Sequence, residues 1–379
     1  MISNSGIDPE ADDNSSPTNF SSGRREANEG RNLLAFWLLG LCNNFGYVVM
    51  LSAAKDILEK SEESPIDSGC VTDTKYIKCS TISTGAVLLA DILPSLTIKL
   101  IAPFTLQTIP FSLRHLLVVN FQILSYLLVA YSNTIFVGIL GVIFASLGAG
   151  LGEITYLSLS SHFHNDVISF WSSGTGGAGI FGSLAFAALT DHRMLGLNAK
   201  QALLTMLVVP TILALTYGFL LQSPPSTHRT TTESFTSSAE DDLQRLLHGD
   251  RLDARQTLRK NVWRKIRMAK PLLRFMVPLA IVYFSEYFIN QGLLELLIFN
   301  CASSFNLSPM QQYRWYQVLY QGLLGGAAYV NTFSAIHRTV SKANREFCIS
   351  FATIADSLGI VFAGFSSIYA HNFICDHRW

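Results

Sequence analysis

The seventh apolar segment of the chain carries more polar side chains than contact with lipid explains. Tyr287, Gln291 and Glu295 recur every four residues, and Glu286 and Asn290 lie beside them. Residues four apart share one face of a helix, so two carboxylates and two amides come together there. These groups could bind a polar solute in a cavity within the membrane. The alternative is a set of hydrogen bonds between helices, which contribute about 0.6 kcal/mol each.

Isolated carboxylates occur in other apolar segments, at Asp91, Glu153 and Asp356. A carboxylate at membrane depth costs roughly 2.5–3.5 kcal/mol on insertion scales, so it usually faces a protein interior or a water-filled cavity. We predict that Asp91, Glu153, Glu295 and Asp356 are candidates for proton coupling, because burial favours the protonated form of a carboxylate. Glu153 is also predicted to line the cavity.

Two asparagines in the first apolar segment, Asn43 and Asn44, are predicted to contribute to the same cavity. Phe36 and Trp37 precede them by seven residues, and Tyr283 and Phe284 precede Asn290 and Gln291 by the same interval. This repetition suggests that the two amide pairs face each other across a pseudo-symmetry axis. Coincidence between apolar segments, and pairing of Asn43 with Asn44, are the alternatives.

Other kinds of chemistry have no support in the sequence. There is no cluster with metal-ligand spacing, no phosphate-binding glycine loop after a strand, and no nucleophile paired with a base. We therefore predict no enzyme activity, no cofactor and no bound metal. The net charge is zero, so no nucleic-acid partner is predicted either.

The composition indicates a membrane protein that crosses the bilayer several times. Of its 379 residues, 49% are apolar and only 14% are charged, whereas charged residues make up about 25% of a soluble protein. A membrane-spanning helix needs about 20 apolar residues. We predict an all-α bundle of about nine transmembrane helices, at residues 33–54, 84–104, 115–131, 135–159, 167–189, 202–221, 275–299, 313–336 and 347–370.

The distribution of charge predicts the orientation of the chain. Arginines precede the first span, and a basic cluster at residues 259–270 precedes the seventh. Basic residues are enriched in cytoplasmic segments, so the N-terminus and the central loop are predicted to be cytosolic. The loop between the first two spans and the C-terminus are then predicted to be lumenal.

Four regions are predicted on this basis. They are a disordered cytosolic N-terminus (1–31), a six-helix half (32–221), a cytosolic loop (222–271) and a shortened second half (272–379). The loop contains Asp242, Leu246 and Leu247, in the form of an acidic dileucine signal read by clathrin adaptors. Such hexamers also arise by chance in amphipathic helices.

The lumenal segments carry two candidate modifications. Cys70 and Cys79 share the first lumenal loop, where an oxidising compartment permits a disulfide; two free thiols are the alternative. Asn306 begins an Asn-Leu-Ser sequon and is predicted to be glycosylated.

Long strings of this sequence resemble the battenin family of lysosomal membrane proteins, whose loss causes juvenile Batten disease, a neuronal ceroid lipofuscinosis. They include FWLLGLCNNFGYVVMLSAA from Phe36, WSSGTGGAG from Trp171 and VYFSEYFINQGLLELL from Val282. The resemblance implies a fold like that of the major facilitator superfamily, in the lysosomal and late endosomal membrane. It also implies export of glycerophosphodiesters such as glycerophosphocholine, and roles in lysosomal pH, autophagy and trafficking.

A phosphodiester substrate requires a cation for its phosphate group. Arg314 is the predicted contact, because its planar guanidinium can bind two oxygens at once. Extension of this side chain to the lumenal surface is the alternative. Lys99 is an alternative cation, but it lies near the cytosolic end of its span, where anchoring at the interface is expected.

The second half departs from the family pattern. Further transmembrane sequence separates YQVLYQ from GLLGGAAYVNTF in the family, whereas Gln321 joins Gly322 directly here. We predict an internal deletion, from alternative splicing or an incomplete gene model, that leaves one fused helix at residues 313–336. Because the deletion could impair transport, the alternative function is that of a non-transporting membrane scaffold that regulates trafficking.

Overall fold

The computed structural model describes residues 18–59, 70, 79, 82–106, 109–164, 166–222, 270–320 and 323–377. Within these ranges the chain forms α-helices with short 3₁₀ and π turns, and no strand. Apolar residues from helices throughout the chain share one hydrophobic core. The prediction of an all-α protein is confirmed.

The described residues of the first half form eight α-helices. They are α1 (Thr18–Ser52), α2 (Ala54–Glu59), α3 (Thr84–Thr105), α4 (Phe111–Ala130), α5 (Ile135–Ser160), α6 (Asp166–Thr190), α7 (Ala199–Thr205) and α8 (Val208–Leu215).

Five α-helices form the second half. They are α9 (Leu273–Tyr287), α10 (Pro309–Tyr320), α11 (Leu323–Thr339), α12 (Lys342–Ala352) and α13 (Ile354–Asp376). The halves meet where α13 packs on α3 and where α10 and α11 pack on α6.

Among the described residues, seven helical segments are long and apolar enough to cross a membrane. They are Asn28–Ser52, Thr84–Ala102, Phe111–Ala130, Ile135–Ser160, Ala199–Leu220, Lys270–Leu296 and Phe347–Asp376. Each agrees with a predicted span, so the membrane bundle is confirmed. The predicted span at residues 167–189 forms the 25-residue helix α6, whose glycines and serines lower its mean hydropathy.

The predicted fused helix at residues 313–336 corresponds to α10 and α11. The structure describes α10 as far as Tyr320 and α11 from Leu323. Residues 321 and 322, at the predicted deletion, lie outside the described residues, so continuity through this point stays a prediction.

Two spans contain a proline and are irregular. Pro210 has no N–H to donate to the carbonyl of Met206, and residues 206–207 form a turn that separates α7 from α8. Pro278 lies inside α9, which continues into a π turn at Phe288–Leu293 and a 3₁₀ turn at Leu294–Leu296.

Helices α1 and α6 approach closely through glycines. A Cβ added to Gly40 would lie 2.3 Å from the carbonyl oxygen of Trp171, and one added to Gly174 would lie 2.0 Å from that of Trp37. Both distances are far below van der Waals contact, so side chains larger than hydrogen do not fit. The glycine-rich string WSSGTGGAG therefore packs as a continuous helix.

One boundary prediction is wrong. Residues 18–31, predicted to be disordered, form the first turns of α1, a stretch in which arginine, glutamate and alanine favour helix. The predicted sorting signal at Asp242, Leu246 and Leu247 lies outside the described residues.

Candidate functional site

A cavity of about 70 Å³ lies at the interface between the two halves. Helices α1, α3, α5 and α6 of the first half line it on one side, and α9, α11 and α13 of the second half line it on the other. Its polar residues are Asn44, Tyr47, Ser95, Lys99, Glu153, Thr175, Tyr283, Glu286, Tyr287, Tyr329 and Asp356. The cavity is thus polar and acidic although it lies within an apolar bundle.

Lys99 connects the two halves at this cavity. Its side chain is 2% exposed, and its Nζ lies 2.6 Å from Oε2 of Glu153 on α5 and 3.2 Å from Oδ2 of Asp356 on α13. It also donates a hydrogen bond of 2.8 Å to the hydroxyl of Ser357. The expected anchoring of Lys99 at the membrane interface is therefore wrong, because α3 directs this side chain into the bundle.

The two carboxylates have further partners. Tyr329 of α11 donates its hydroxyl to Oε1 of Glu153. Oδ1 of Asp356 accepts a hydrogen bond of 2.6 Å from the backbone N–H of Ser357. One lysine thus lies between two carboxylates, and Glu286 lines the same cavity, so ionised side chains would leave an excess of negative charge.

Tyrosines form an aromatic wall of the cavity. The rings of Tyr283 and Tyr287 are stacked with their centroids 6.0 Å apart, and the ring of Tyr47 lies edge-on to Tyr287 at 6.2 Å. The face of an aromatic ring attracts cations. Together with Glu286, this wall suits a positively charged group, whereas Lys99 suits an anion.

The structure brings only part of the predicted site together. Asn44, Glu153, Tyr287 and Asp356 line the cavity. Asn43 does not, because its amide donates instead to the carbonyl of Ala149 at 3.0 Å.

Asn290 and Gln291 are fully buried next to α10. Gln317 donates to the carbonyl of Asn290 at 3.0 Å, and Tyr313 donates to the side chain of Gln291 at 3.2 Å. Asp91 on α3 is also fully buried, and neither of its carboxylate oxygens has a hydrogen-bond partner among the described residues. None of these three residues lines the central cavity.

Glu295 lies at one end of the bundle and joins the halves there. Its carboxylate accepts hydrogen bonds from the hydroxyl of Ser83 at 2.6 Å and the backbone N–H of Thr84 at 3.0 Å. Its Oε1 also lies 3.0 Å from Nδ1 of His371. A carboxylate at the start of a helix satisfies N–H groups that have no partner within the helix, so Glu295 caps α3.

Arg314 lies at the same end and forms an ion pair with Asp56, with Nε at 3.3 Å from Oδ2. Its guanidinium also lies over the ring of Phe186 at 5.5 Å. Arg314 lines a second cavity of about 590 Å³ with Asp56, Thr190 and His192, among others, and it does not reach the central cavity. In the sequence, Arg314 is five residues after Pro309, where α10 begins.

The predicted disulfide between Cys70 and Cys79 is wrong. Cys70 is bonded to Cys301, and Cys79 is bonded to Cys375. The correction follows from the fold, because Cys301, after the turns that extend α9, lies next to Cys70, and Cys375, in the last turn of α13, lies next to Cys79. We call this region, which also contains Glu295 and Arg314, the disulfide end. Asn306, the predicted glycosylation site, is exposed in a loop there.

Sequence reasoning gave too little weight to Lys99, and it missed Tyr283 and Tyr329 as cavity residues. The sequence did offer a signal for Lys99, because a lysine within an apolar segment that also contains Asp91 requires anionic partners if it is buried. Tyr329 had no such signal, since an isolated tyrosine in an apolar segment is compatible with packing alone.

Matches to known proteins cover nearly the whole length of the chain. The family model described as CLN3 protein matches residues 34–321 and 318–377. The chain is 39% identical to battenin of Canis lupus familiaris, over 91% of each chain. It is 30% identical to protein BTN1 of Yarrowia lipolytica, over 91% of this chain and 94% of the relative.

Solved transporter structures also align with the chain, at low sequence identity. A proton:xylose symporter of the major facilitator superfamily, XylE, aligns with a TM-score of 0.44 and 12% identity, over 93% of this chain and 96% of that one. A bacterial homologue of the human drug peptide transporters PepT1 and PepT2 aligns with a TM-score of 0.45 and 13% identity, over 89% of each chain.

Proposed function

The chain belongs to the CLN3 protein family, and from this premise we propose that it is a lysosomal and late endosomal membrane transporter. Its substrate is a glycerophosphodiester such as glycerophosphocholine, which it exports to the cytosol. Export of such products of phospholipid breakdown would support lysosomal pH, autophagy and trafficking.

The observation that carries this proposal is the cavity between the halves. Glycerophosphocholine has one negative phosphodiester and one quaternary ammonium. The cavity contains one buried cation, Lys99, and a wall of Tyr47, Tyr283 and Tyr287 with Glu286. Binding sites in transporters commonly lie between two halves, near the membrane midplane, and this cavity is lined by helices of both halves.

The disulfides support the proposed orientation. Cys70, Cys79, Cys301 and Cys375 all lie at the disulfide end, and disulfides persist in oxidising compartments. We assign this end to the lumen, which makes the N-terminus cytosolic and the C-terminus lumenal. Asn306 then lies on the side where glycosylation occurs.

Purified full-length chain in liposomes tests transport directly. We expect uptake of radiolabelled glycerophosphocholine that exceeds uptake into protein-free liposomes, and competition by unlabelled substrate. The variant Glu286→Gln keeps the shape of the cavity wall but removes the negative charge of Glu286. The KM of this variant for glycerophosphocholine should be higher than that of the unaltered chain. Absence of uptake by the unaltered chain, shown to be folded by its thermal transition, would refute the proposal.

The second candidate is a membrane scaffold without transport activity that regulates trafficking. The two segments matched by the family model meet at residues 318–321, beside the predicted deletion, and this favours a shortened second half. A folded chain that reaches lysosomes but shows no uptake would support this candidate.

Sorting is the remaining part of the proposal, and it assigns lysosomal delivery to clathrin adaptors that read Asp242, Leu246 and Leu247. Changing both leucines to alanine should increase the amount of protein at the cell surface. Leu243→Ala, which changes a leucine at a variable position of the same hexamer and keeps Asp242, Leu246 and Leu247, is the matched control. Lysosomal delivery that is the same for all three chains would contradict this assignment.

A further inference from the structure

We propose that Lys99 is the phosphate-binding group of the central cavity and that Glu153 and Asp356 are its exchangeable counter-ions. A phosphodiester anion takes the place of one carboxylate on Lys99, and that carboxylate takes up a proton at the same time. The inference rests on the proposed function and deepens it, because it links binding of the substrate to uptake of a proton.

The geometry of Lys99 carries the first step. An ammonium has three N–H donors, and those of Lys99 have three partners, in Glu153 at 2.6 Å, Asp356 at 3.2 Å and Ser357 at 2.8 Å. A phosphate oxygen therefore binds Lys99 only by replacing one of these groups. Carboxylate and phosphate oxygens accept the same short, charge-assisted hydrogen bonds from an ammonium, so either can occupy the position.

Charge balance carries the second step. The cluster of Lys99, Glu153 and Asp356 has one positive and two potential negative charges. An added phosphodiester brings a further negative charge into a buried site, where an unpaired charge is strongly disfavoured. One proton transferred to the displaced carboxylate restores the original charge. One anion therefore enters with one proton, and the total charge of the cluster is unchanged.

The surroundings of Lys99 offer no other cation. Lys99 is the only lysine, arginine or histidine among the described residues that line the cavity. The titratable groups that face it are Tyr47 on α1, Glu153 on α5, Tyr283, Glu286 and Tyr287 on α9, Tyr329 on α11 and Asp356 on α13, and Asp91 lies two turns earlier on α3 itself. All of these groups are neutral or negative, so none replaces Lys99 as an anion site.

The position of the cluster links it to movement of the halves. Lys99 and Glu153 belong to the first half, and Asp356 belongs to the second. Asp356 is the carboxylate whose release breaks an ionic contact between the halves, whereas release of Glu153 breaks one within the first half. Asp356 is therefore the counter-ion whose exchange couples binding to opening of the interface.

Binding of dimethyl phosphate, the smallest phosphodiester anion, to the purified full chain tests the inference. We expect affinity at about pH 5 to exceed that at about pH 7.5 by at least about fivefold, because proton uptake accompanies binding. In the variant Glu153→Gln with Asp356→Asn the affinity should be equal at the two pH values. A variant that keeps the pH dependence of the unaltered chain would overturn the inference. Asp166→Asn, at an exposed carboxylate, is the control that should change neither value.

A second variant covers failure of the first to fold. Lys99→Gln combined with Glu153→Gln and Asp356→Asn removes all three charges and leaves none unpaired. We expect it to fold and to lose at least about tenfold in affinity for dimethyl phosphate, because the charge-assisted bonds are gone. Unchanged affinity in this variant would overturn the inference.

Binding and transport measurements together distinguish failure of this inference from failure of the proposed function. If the unaltered chain binds dimethyl phosphate in the expected pH-dependent way but does not transport glycerophosphocholine, the proposed substrate fails and Lys99 keeps its assignment. If it transports glycerophosphocholine and the triple variant has the same KM as the unaltered chain, the assignment of Lys99 fails and the proposed function stands.

Discussion

The central cavity and the disulfide end both join the two halves through buried charged groups, but they do so in opposite ways. In the cavity, one lysine is shared by two carboxylates, and empty space lies beside them. At the disulfide end, Arg314 pairs with Asp56, Glu295 has three partners, and two covalent bonds add to these contacts.

The difference teaches which contacts can be exchanged. A carboxylate that competes for a shared cation loses little when an equivalent anion replaces it. A carboxylate such as Glu295 caps a helix and contacts His371, so its replacement would break several contacts at once. Buried charge alone therefore does not identify a transport site; a surplus of one sign beside a cavity does.

Removing the shared cation should have the largest effect. Lys99→Gln leaves Glu153 and Asp356 buried without their counter-ion, and we expect the free energy of unfolding to fall by about 3–5 kcal/mol. Adding Glu153→Gln and Asp356→Asn should restore most of this loss. Thermal unfolding of the purified variants measures both effects, and a triple variant no more stable than the single one would contradict the shared-cation description.

Breaking a covalent tie at the disulfide end should have the next largest effect. Changing Cys70 and Cys301 together to serine should lower stability by about 2–4 kcal/mol. Cys348→Ser, at a buried free cysteine, is the control for loss of a thiol. Differential scanning fluorimetry without reductant compares them, and mass spectrometry of peptides joined by disulfides checks the pairing. Detection of a peptide that joins Cys70 to Cys79 would contradict the pairing of Cys70 with Cys301 and of Cys79 with Cys375.

The variant Glu295→Gln tests whether the disulfide end takes part in transport. The amide keeps one oxygen but loses the charge that Ser83, Thr84 and His371 contact, so we expect a loss of about 1.5–3 kcal/mol in stability. KM and the pH dependence of glycerophosphocholine uptake should not change, whereas Glu153→Gln should alter the pH dependence. A shift in pH dependence with Glu295→Gln would place this residue in the transport site after all.

Exchanging the charges of Arg314 and Asp56 tests whether this pair is fixed. Each single change, Arg314→Asp or Asp56→Arg, should destabilise the protein, and the double exchange should recover about 1 kcal/mol relative to the sum of the singles. Thermal unfolding at low and high salt provides the measurement. If the loss of stability in the double exchange equals the sum of the two single losses, the ion pair between Arg314 and Asp56 contributes no interaction energy.

The smallest expected effect concerns pH at the disulfide end. Burial opposes ionisation of Asp191, but hydrogen bonds from Arg193 and Trp315 lower its pKa to about 2. Because this is below the value of about 3.9 in an unfolded chain, the stabilisation is complete above about pH 4 and is lost as the pH falls towards 2. Asp191→Asn should therefore lower the melting temperature at about pH 5, and the difference from the unaltered chain should diminish at about pH 3.

The sequence predicted the helices far better than the contacts between them. Apolar length located the membrane helices because each depends on a local run of residues. The disulfides and the pairing of Arg314 with Asp56 could not be predicted, since their partners are more than 200 residues apart. Glu295 was misplaced for the same reason: residues 288–296 leave α-helical geometry, and the distance of Glu295 from the cavity depends on how α3 and α13 pack around it.

The reciprocal glycine contacts between α1 and α6 have a consequence for how the sequence tolerates change. Gly40 of α1 contacts the backbone of α6 at Trp171, and Gly174 of α6 contacts the backbone of α1 at Trp37. Each helix therefore contributes one glycine and one backbone carbonyl to the close approach. In a saturation library screened for folded protein, these two positions should retain glycine alone. Gly30, where an added methyl group would meet no neighbour within 4 Å, should accept many residues. The close packing of α1 on α6 in the first half would then depend on the absence of a side chain at these two positions.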